Sequence, residues 1–361
     1  MTDKIDEKTI GSTHRCIIGC ILGTAVGDAL GLPYEGLSSR RASVLLGKPD
    51  RYRFLYRYGL VSDDTEHTLI VTQALISSSD DVDRFSKDMS RRLRWWLMGL
   101  PAGIGYATLR SIFRLCIGFS TDHSGVFSAG NGPAMRAAIL GAAIDDPIKL
   151  RRFTRASTII THTDPKAEYG AFAVALASHM ASKSGTVRGR DYFTQLSSLL
   201  EPEGDELIEL IRKVIESIEN EQTTIEFARS IGARNGVSGY IYSSVPVAIH
   251  AWLYNQLDFR CAIISIVECG GDTDTVAAIA GGIIGSAVGK EGIPIDWLTN
   301  LKEWPRTLTW MERLAVQLAN CIQSEKTEFP IACSRFGILP RNFIFLLIVL
   351  SHGFRRLLPP Y

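Results

Sequence analysis

Glycine recurs at every fourth position in two widely separated apolar segments of the chain. The positions are Gly19, Gly23 and Gly27 in the first segment, and Gly281, Gly285 and Gly289 in the second. This spacing places each set on one helix face, where each glycine costs about 1 kcal/mol relative to alanine. Each face therefore lets another backbone approach closely. Either the two helices pack in unrelated small grooves, or they pack against each other and bring nearby carboxylates together. A separation above about 15 Å would exclude the second arrangement.

Hydrophobic residues elsewhere also follow a helical rather than an alternating period. In residues 205–220 the apolar side chains form one stripe and the charges lie opposite, as in an amphipathic surface helix. Residues 82–100 repeat the pattern, which predicts that Phe85, Met89 and Leu93 pack in a core. We therefore predict an all-α fold whose glycine- and proline-containing stretches are interhelical loops.

Size and charge limit the architecture and the partners. The 361 residues, 46% of them hydrophobic, are enough to bury a large core. We predict one compact multi-helix domain over residues 15–361, after a polar N-terminal segment at residues 1–14. Because 39 basic residues nearly balance 38 acidic ones, no overall basic field attracts nucleic acid or an anionic membrane. The start of the chain lacks the order of a secretory signal, so we expect a cytoplasmic protein.

The apolar run at residues 343–350 is too short to span a bilayer, which needs about 20 residues. We expect it to form a buried terminal helix.

Two acidic, hydroxyl-containing segments each precede an apolar run. The first contains Ser62, Asp63 and Asp64, and the second contains Asp272, Asp274 and Thr275. Helix capping is one explanation, since Asp63 and Glu66 have the spacing of a capping box and Asp272 and Thr275 match it. A second carboxylate adds repulsion, however, unless a cation or a helix dipole compensates. Carboxylate and hydroxyl oxygens suit Mg²⁺ or Mn²⁺ better than zinc or copper. Capping and metal binding both remain open.

Other polar positions lie in glycine-rich turns. Glu35 follows the first glycine-rich segment and is either a solvated loop carboxylate or part of a site. Residues 128–138 form a glycine-rich loop that opens a helix, a geometry that presents amides to a phosphate. His162 precedes a helix that begins with proline, where a histidine is more often a packing or capping group than a ligand contact. Residues 238–240 belong to a second glycine-containing loop.

Six motifs, taken in chain order, resemble those of the ADP-ribosylglycohydrolase family. They are GCILGTAVGDALGLPYE, SDDTEHTLIVTQAL, GNGPAMRAAILG, THTDPKAEYGA, GVSGYIYSSVPVAI and GGDTDTVAAIAGGIIG. The resemblance extends from about residue 16 to residue 289. It implies a compact all-α fold and a hydrolase that removes ADP-ribose from modified protein side chains at a centre of two Mg²⁺ ions, with Mn²⁺ as an alternative.

The resemblance also implies roles for individual residues. The metal ligands that it implies are Ser62, Asp63, Asp64, Asp272, Asp274 and Thr275. At the position of Ser62 the family often has threonine. The residues that it implies as contacts for ADP-ribose are Gly130, Asn131, Gly132, His162, Ser238, Gly239 and Tyr240. Glu35, Asp64 and Asp272 would be catalytic, with Glu35 as a gate or a base. At Gly103 the chain departs from many arginine-specific relatives, which have an aspartate there. Either another carboxylate such as Glu35 handles the proton, or the linkage specificity differs.

Three roles are compatible with these residues. The first is hydrolysis, with arginine-linked ADP-ribose preferred because Glu35 and Tyr106 would favour a cationic leaving group. The second is an immunity protein that binds and occludes an ADP-ribosyltransferase toxin, with or without hydrolysis. The third is a crystallin-like structural relative, against which the complete set of acidic and hydroxyl ligands argues.

Overall fold

Helices form almost all of the regular structure in this computed structural model, which describes residues 11–357. Their bounds are α1 Ser12–Gly31, α2 Ser39–Leu46, α3 Asp63–Ser78, α4 Val82–Met98, α5 Tyr106–Cys116, α6 Thr121–Ser124, α7 Ala138–Ala143, α8 Pro147–Ile159, α9 Pro165–Ser184, α10 Gly189–Leu200, α11 Asp205–Glu219, α12 Thr224–Ser230, α13 Ile241–Asn255, α14 Phe259–Cys269, α15 Thr273–Val288, α16 Ile295–Asn300, α17 Leu308–Ser324 and α18 Arg335–Arg355. Short 3₁₀ helices cover Leu32–Tyr34, Ala134–Arg136 and Lys290–Gly292. The prediction of an all-α fold is confirmed.

The predicted polar N-terminal segment at residues 1–14 lies mostly outside the described residues. Of the described part, Ser12 to His14 form the first turn of α1.

The pair α1 and α15 forms the centre of the fold. Every residue of α15 is buried, and a Cβ atom added to Gly23 would lie 2.1 Å from the carbonyl oxygen of Gly281. One added to Gly19 would lie 2.0 Å from the carbonyl oxygen of Gly285. Only glycine permits backbones to approach this closely. The sequence left two arrangements open, and the structure confirms the one in which the two glycine faces pack against each other.

The other helices surround this pair. Helices α9, α13 and α14 pack against α15, and α3, α7 and α17 pack against α1. The amphipathic helices α4 and α11 lie further out with their apolar sides inward, as predicted, and Phe85, Met89 and Leu93 are buried. Layers of helix on helix therefore bury one large core, and Leu32, Phe54 and Phe345 form a second, small cluster.

A short antiparallel pairing connects the end of α1 to the start of α15. Strand β1, Leu37–Ser38, pairs with β2, Gly270–Gly271. Gly271 has a φ of +84°, and a Cβ atom there would lie 2.0 Å from the carbonyl oxygen of Val237. Val237 in turn accepts a bond from the amide of Asp272 at 2.8 Å. The turn after α1, the segment before α13 and the start of α15 thus meet at one place.

The expectation of a buried terminal helix at residues 343–350 is wrong. Helix α18 forms, but Phe343, Leu347 and Leu350 are 63%, 51% and 48% exposed. The expectation that this run is too short for a bilayer is also wrong, because it belongs to a longer helix: Phe336–Arg355 is long and apolar enough to span a membrane by length and composition alone. Only 28% of its apolar window is buried. The face that contacts the protein is the more polar one, because Arg341 and His352 lie there and are buried. Many of the apolar residues consequently occupy the outer face, whereas Phe345 is buried on the inner face.

Candidate metal centre and substrate cleft

The N-terminal ends of α3 and α15 meet in an acidic cluster, in which Asp64 and Asp274 are buried and Asp63 and Asp272 are partly buried. Ser62 caps α3 by accepting a bond from the amide of Asp64, so Asp63 is not the capping residue. Asp272 precedes α15 but makes no side-chain capping bond. Capping therefore does not explain why carboxylates are doubled at these positions.

Carboxylate oxygens from three segments converge within this cluster. One oxygen from each of Glu35, Asp272 and Asp274 lies within 4.8 Å of the others. Asp64 Oδ2 accepts bonds from Ser62 Oγ at 3.0 Å and from Thr275 Oγ1 at 3.4 Å, which joins the two helix starts. All six metal ligands implied by the sequence thus lie at these two helix starts, and Glu35 joins them.

Burial and mutual repulsion disfavour ionisation of these carboxyl groups. Burial, followed by the neighbouring carboxylates, holds the pKa of Asp63, Asp64 and Asp274 well above the usual range. Burial and Asp272 also raise the pKa of Glu35, although Arg356 acts in the opposite direction. A cation would relieve this repulsion.

The donor set fits a hard divalent cation. Among the described residues, Asp64 Oδ1 is a buried side-chain oxygen without a hydrogen-bond partner. Asp63 and Asp274 contribute further carboxylates, and Ser62 and Thr275 contribute hydroxyl groups at the same end of the cluster. Oxygen ligands of this kind suit Mg²⁺ or Mn²⁺, and the positive ends of two helix dipoles help to hold the packed carboxylates.

Asp28 supports the cluster and was not recognised from the sequence as a site residue. It is fully buried in α1, and its carboxylate accepts bonds from the amides of Ser62 at 2.9 Å and Thr65 at 3.2 Å. Burial raises its pKa to about 6, despite these bonds. Asp28 thereby fixes the start of α3 against α1. An aspartate directly after Gly27 in an otherwise apolar helix was the available signal.

A cleft of about 660 Å³ opens beside the acidic cluster. Its lining includes Gly130, Asn131, Gly132, His162 and Gly239. The two glycine loops lie side by side, because the amide of Asn131 donates to the carbonyl of Gly239 at 3.0 Å. Asn131 Nδ2 also donates to Asp272 Oδ2 at 2.6 Å, so this loop contacts the acidic cluster directly.

Two of the predicted substrate contacts lie outside the cleft lining. The hydroxyl of Ser238 accepts a bond from the amide of Tyr240 at 3.4 Å. The Tyr240 hydroxyl is bonded to Lys166 Nζ at 3.1 Å, and both loop residues are exposed. They belong to the surface beside the cleft.

A buried arginine lies close to His162. Arg136 is fully buried and donates from Nη2 to Thr161 Oγ1 at 2.7 Å. Because arginine only donates, the Thr161 hydroxyl keeps its own hydrogen, which it can donate to His162 Nδ1, 2.9 Å away, or to the carbonyl oxygen of Thr158 at 3.4 Å. His162 Nε2 lies on the side of Gly130 and Gly132. Burial, together with Arg136, lowers the pKa of His162 to about 3, so the ring is neutral.

The cleft rim combines residues named from the sequence, Tyr106 and Gly103, with residues that were not, Phe127 and Arg110. Phe127 and Tyr106 line the cleft with 79% and 74% of their surface exposed, and the Arg110 guanidinium lies 5.4 Å from the centre of the Tyr106 ring. Gly103 also lines the cleft, and a Cβ atom added there would meet nothing within 4 Å. The rim therefore has space where many relatives were expected to carry an aspartate.

Comparison with known proteins identifies the family of this chain. The sequence model of the ADP-ribosylglycohydrolase family matches residues 11–328. An uncharacterized protein of Archaeoglobus fulgidus is 31% identical, over 83% of this chain and 94% of that protein. ADP-ribosylhydrolase ARH3 of Homo sapiens is 28% identical, over 80% of this chain and 90% of that protein.

Two further similarities indicate the same family. The ADP-ribosyl-[dinitrogen reductase] glycohydrolase of Rhodospirillum rubrum is 26% identical, over 80% of this chain and 91% of that protein. A solved structure described as an ADP-ribosylglycohydrolase-related protein complex superposes with a TM-score of 0.65 at 26% identity, and covers 86% of this chain and 99% of that one. The chain belongs to the ADP-ribosylglycohydrolase family, whose members hydrolyse glycosidic bonds of ADP-ribose.

Proposed function

We propose that the protein removes ADP-ribose from modified protein side chains at a centre that holds two Mg²⁺ or Mn²⁺ ions. The observation that carries this proposal is the convergence of Glu35, Asp272 and Asp274 oxygens within 4.8 Å, in a cleft also lined by two glycine loops. The ligands would be Ser62, Asp63, Asp64, Asp272, Asp274 and Thr275. When bound, such ions supply Lewis acidity to the ribose hydroxyls and lower the pKa of water.

The glycine loops and His162 would bind the ADP-ribose moiety. Gly130 and Gly132 leave the backbone of their loop accessible from the cleft, and backbone amides bind phosphate oxygens well. The neutral His162 ring presents Nε2 beside the same loop, as a donor or an acceptor according to the tautomer. Asn131 would fix the orientation of Asp272 through its 2.6 Å bond.

Glu35 would handle the proton of the attacking water. Cleavage at the anomeric carbon passes through an oxocarbenium-like transition state, which a carboxylate on one side of the ribose stabilises. Burial and Asp272 raise the pKa of Glu35, and a raised pKa makes a carboxylate a better base near neutral pH. Gly103 offers no side chain for this task, and among the described residues Glu35 is the cleft-lining carboxylate that does not belong to the proposed ligand set.

We further propose that the substrate linkage is to arginine. A departing guanidine stays protonated, and the carboxylate of Glu35 and the ring of Tyr106 would both favour that positive charge. The contact of Arg110 with Tyr106 supports the idea that this ring accepts a guanidinium. Arg110 and Arg356 also bring positive charge to the cleft, however, so the expected preference over serine-linked substrate is modest, about twofold to tenfold.

Matched substrates test both proposals. The purified protein with Mg²⁺ is offered one peptide carrying ADP-ribose on arginine and the same peptide carrying it on serine, and released ADP-ribose is measured. Faster release from arginine is expected. Equal release would remove the basis for the arginine preference, and a strong serine preference would reverse it. Release from neither peptide, nor from ADP-ribosylated nucleic acid, would contradict the proposed hydrolase.

Toxin binding is a second candidate function, favoured by the exposed aromatic rim of the cleft. Phe127 and Tyr106 would suit contact with a folded protein. An Asp64→Ala variant separates the two roles, because it should lose hydrolysis and keep binding to an ADP-ribosyltransferase.

We place either activity in the cytoplasm. Fractionation of cells that express the tagged protein tests that location.

A further inference from the structure

Helix α18 forms one wall of the cleft although it lies beyond residues 11–328, which the family's sequence model covers. Its cleft-lining residues, with the residue that follows the helix, are Phe345, Val349, His352, Gly353 and Arg356. Phe345 and His352 both pack edge-on or tilted against Phe54, with ring centres 5.7 and 5.5 Å away. The helix is therefore an integral part of the cleft.

Arg341 anchors the first half of α18 beside the acidic cluster. This buried arginine donates to both carboxylate oxygens of Glu303, at 2.8 and 2.7 Å. It also donates to the carbonyl oxygen of Val61 at 2.6 Å. Val61 directly precedes Ser62, so α18 is bonded to the segment that leads into α3.

Arg356 connects the other end of the helix to the turn that carries Glu35. Its Nη1 donates to the carbonyl oxygen of Glu35 at 2.6 Å, and its Nη2 donates to the carbonyl oxygen of Pro33 at 2.8 Å. His352 Nε2 makes a second contact with Pro33, at 2.9 Å. Arg41 donates to the carbonyl of Arg356, which fixes the backbone of this residue.

The Glu35 turn is consequently held from two sides. On one side the amide of Gly36 donates to the carbonyl of Gly271 at 2.7 Å, directly before Asp272. On the other side Arg356 binds two main-chain carbonyls of the turn. Because these bonds involve the backbone, the Glu35 carboxylate remains free to approach Asp272 and Asp274.

We propose that α18 completes the catalytic cleft and that Arg356 is a positioning residue, which holds Glu35 at the acidic cluster through the backbone of its turn. The proposal rests on the proposed function, because it assigns Glu35 to the reaction. The guanidinium acts as a two-pronged clamp on residues 33–35. A lysine at this position offers one point of contact and replaces the clamp only in part.

Arg356→Ala tests the clamp, and Arg355→Ala is the matched control because Arg355 is an exposed neighbour of the same charge. Loss of the clamp should lower kcat by about 10- to 100-fold, as expected for a misplaced catalytic group, while KM changes by less than about threefold. Arg356→Lys should fall between the wild type and Arg356→Ala. Free guanidinium ion should restore part of the lost rate.

Hydrogen exchange supplies a readout that does not depend on activity. The amide of Gly36 should exchange about tenfold faster or more in Arg356→Ala than in Arg355→Ala, because the turn opens locally more often. Unchanged exchange together with unchanged kcat would overturn the proposal. A wild-type protein that releases no ADP-ribose would instead refute the proposed function, while the exchange rates would still decide whether Arg356 holds the turn.

A double-mutant cycle shows whether Arg356 acts through Glu35. If it does, adding Arg356→Ala to a Glu35→Gln enzyme should lower single-turnover rates by no more than about twofold. A second full loss of rate in the Glu35→Gln background would contradict the positioning role. If Arg356→Ala does not fold, the same cycle with Arg356→Lys decides the question.

Discussion

Replacing Gly23 with alanine tests whether contact between α1 and α15 is the centre of this fold. The new Cβ atom would lie 2.1 Å from the carbonyl oxygen of Gly281. Ordinary contact begins near 3.4 Å, so the helices would have to separate by about 1.3 Å. The contacting atoms belong to the backbone, so no side chain can rotate away. Either the pair opens or the helices shift along each other.

Two opposing effects determine the expected magnitude. Alanine in place of glycine favours a helix by about 1 kcal/mol. Overpacking a core costs about 1–3 kcal/mol, and sometimes more. Because rigid backbone must move, we expect the upper part of that range and a net loss of about 2 kcal/mol in the free energy of unfolding. The sign of the change therefore distinguishes close contact from open space.

Urea denaturation followed by circular dichroism measures this change, with Gly353→Ala as the control. Gly353 lies in α18, and a Cβ atom added there meets nothing within 4 Å. The control should gain up to about 1 kcal/mol, whereas Gly23→Ala should lose stability. A Gly23→Ala protein that is as stable as the control would refute the close packing of the two glycine faces.

Three further outcomes follow from the acidic cluster. Asp64→Ala removes one of several carboxylates that repel each other. Without metal, the variant should therefore have a melting temperature no lower than that of the wild type, and Mn²⁺ should not raise it. A lower melting temperature in the absence of metal would contradict this. Glu35→Gln should lower kcat by about 100-fold or more and keep its affinity for ADP-ribose in calorimetry, whereas normal turnover would move the proton-handling role elsewhere. Burial and nearby carboxylates raise the pKa of Asp63 and Asp274 above the unfolded value of 3.8, so the native metal-free protein binds more protons than the unfolded chain. Its stability should fall as pH rises from about 4 through the raised values, and the gain in melting temperature from Mn²⁺ should grow between about pH 5 and 7.5; a gain that shrinks would be inconsistent with a buried acidic cluster.

Local patterns in the sequence predicted several helices but not their partners. The stripe that includes Phe85 and Met89 identifies a helix and its buried face, and both follow from side-chain spacing alone. The glycine period likewise identifies a face that another backbone approaches. It does not say which backbone, because that choice depends on contacts between residues more than 250 positions apart in the chain.

Helix α18 shows why burial was harder to predict than helix formation. Its apolar content suggested a core position, but apolar content does not reveal what covers the outer face. The polar residues Arg341, His352 and Arg356 were an available signal, since they lie on one side of the helix and need buried partners. The partner of Arg356 at Glu35 is 321 positions away, and no local pattern indicates it.

The sequence predicted individual residues of the candidate site better than it predicted how they come together. The doubled carboxylates indicated a cation because repulsion between close carboxylates needs compensation. The capping explanation for Asp63 failed because Ser62, one residue earlier, provides the cap. Asp28 lies in the same motif as Glu35 but was not predicted as a site residue, because a single polar residue in an apolar helix has no period.

Anomalous diffraction from crystals soaked in Mn²⁺ tests the central claim most directly, that the starts of α3 and α15 form a single metal cage. We predict two anomalous peaks about 3.5–4 Å apart, with oxygens of Asp63 and Asp64 on one side and of Asp272 and Asp274 on the other. A map with no peak among these four carboxylates, at Mn²⁺ concentrations that raise the melting temperature, would contradict it.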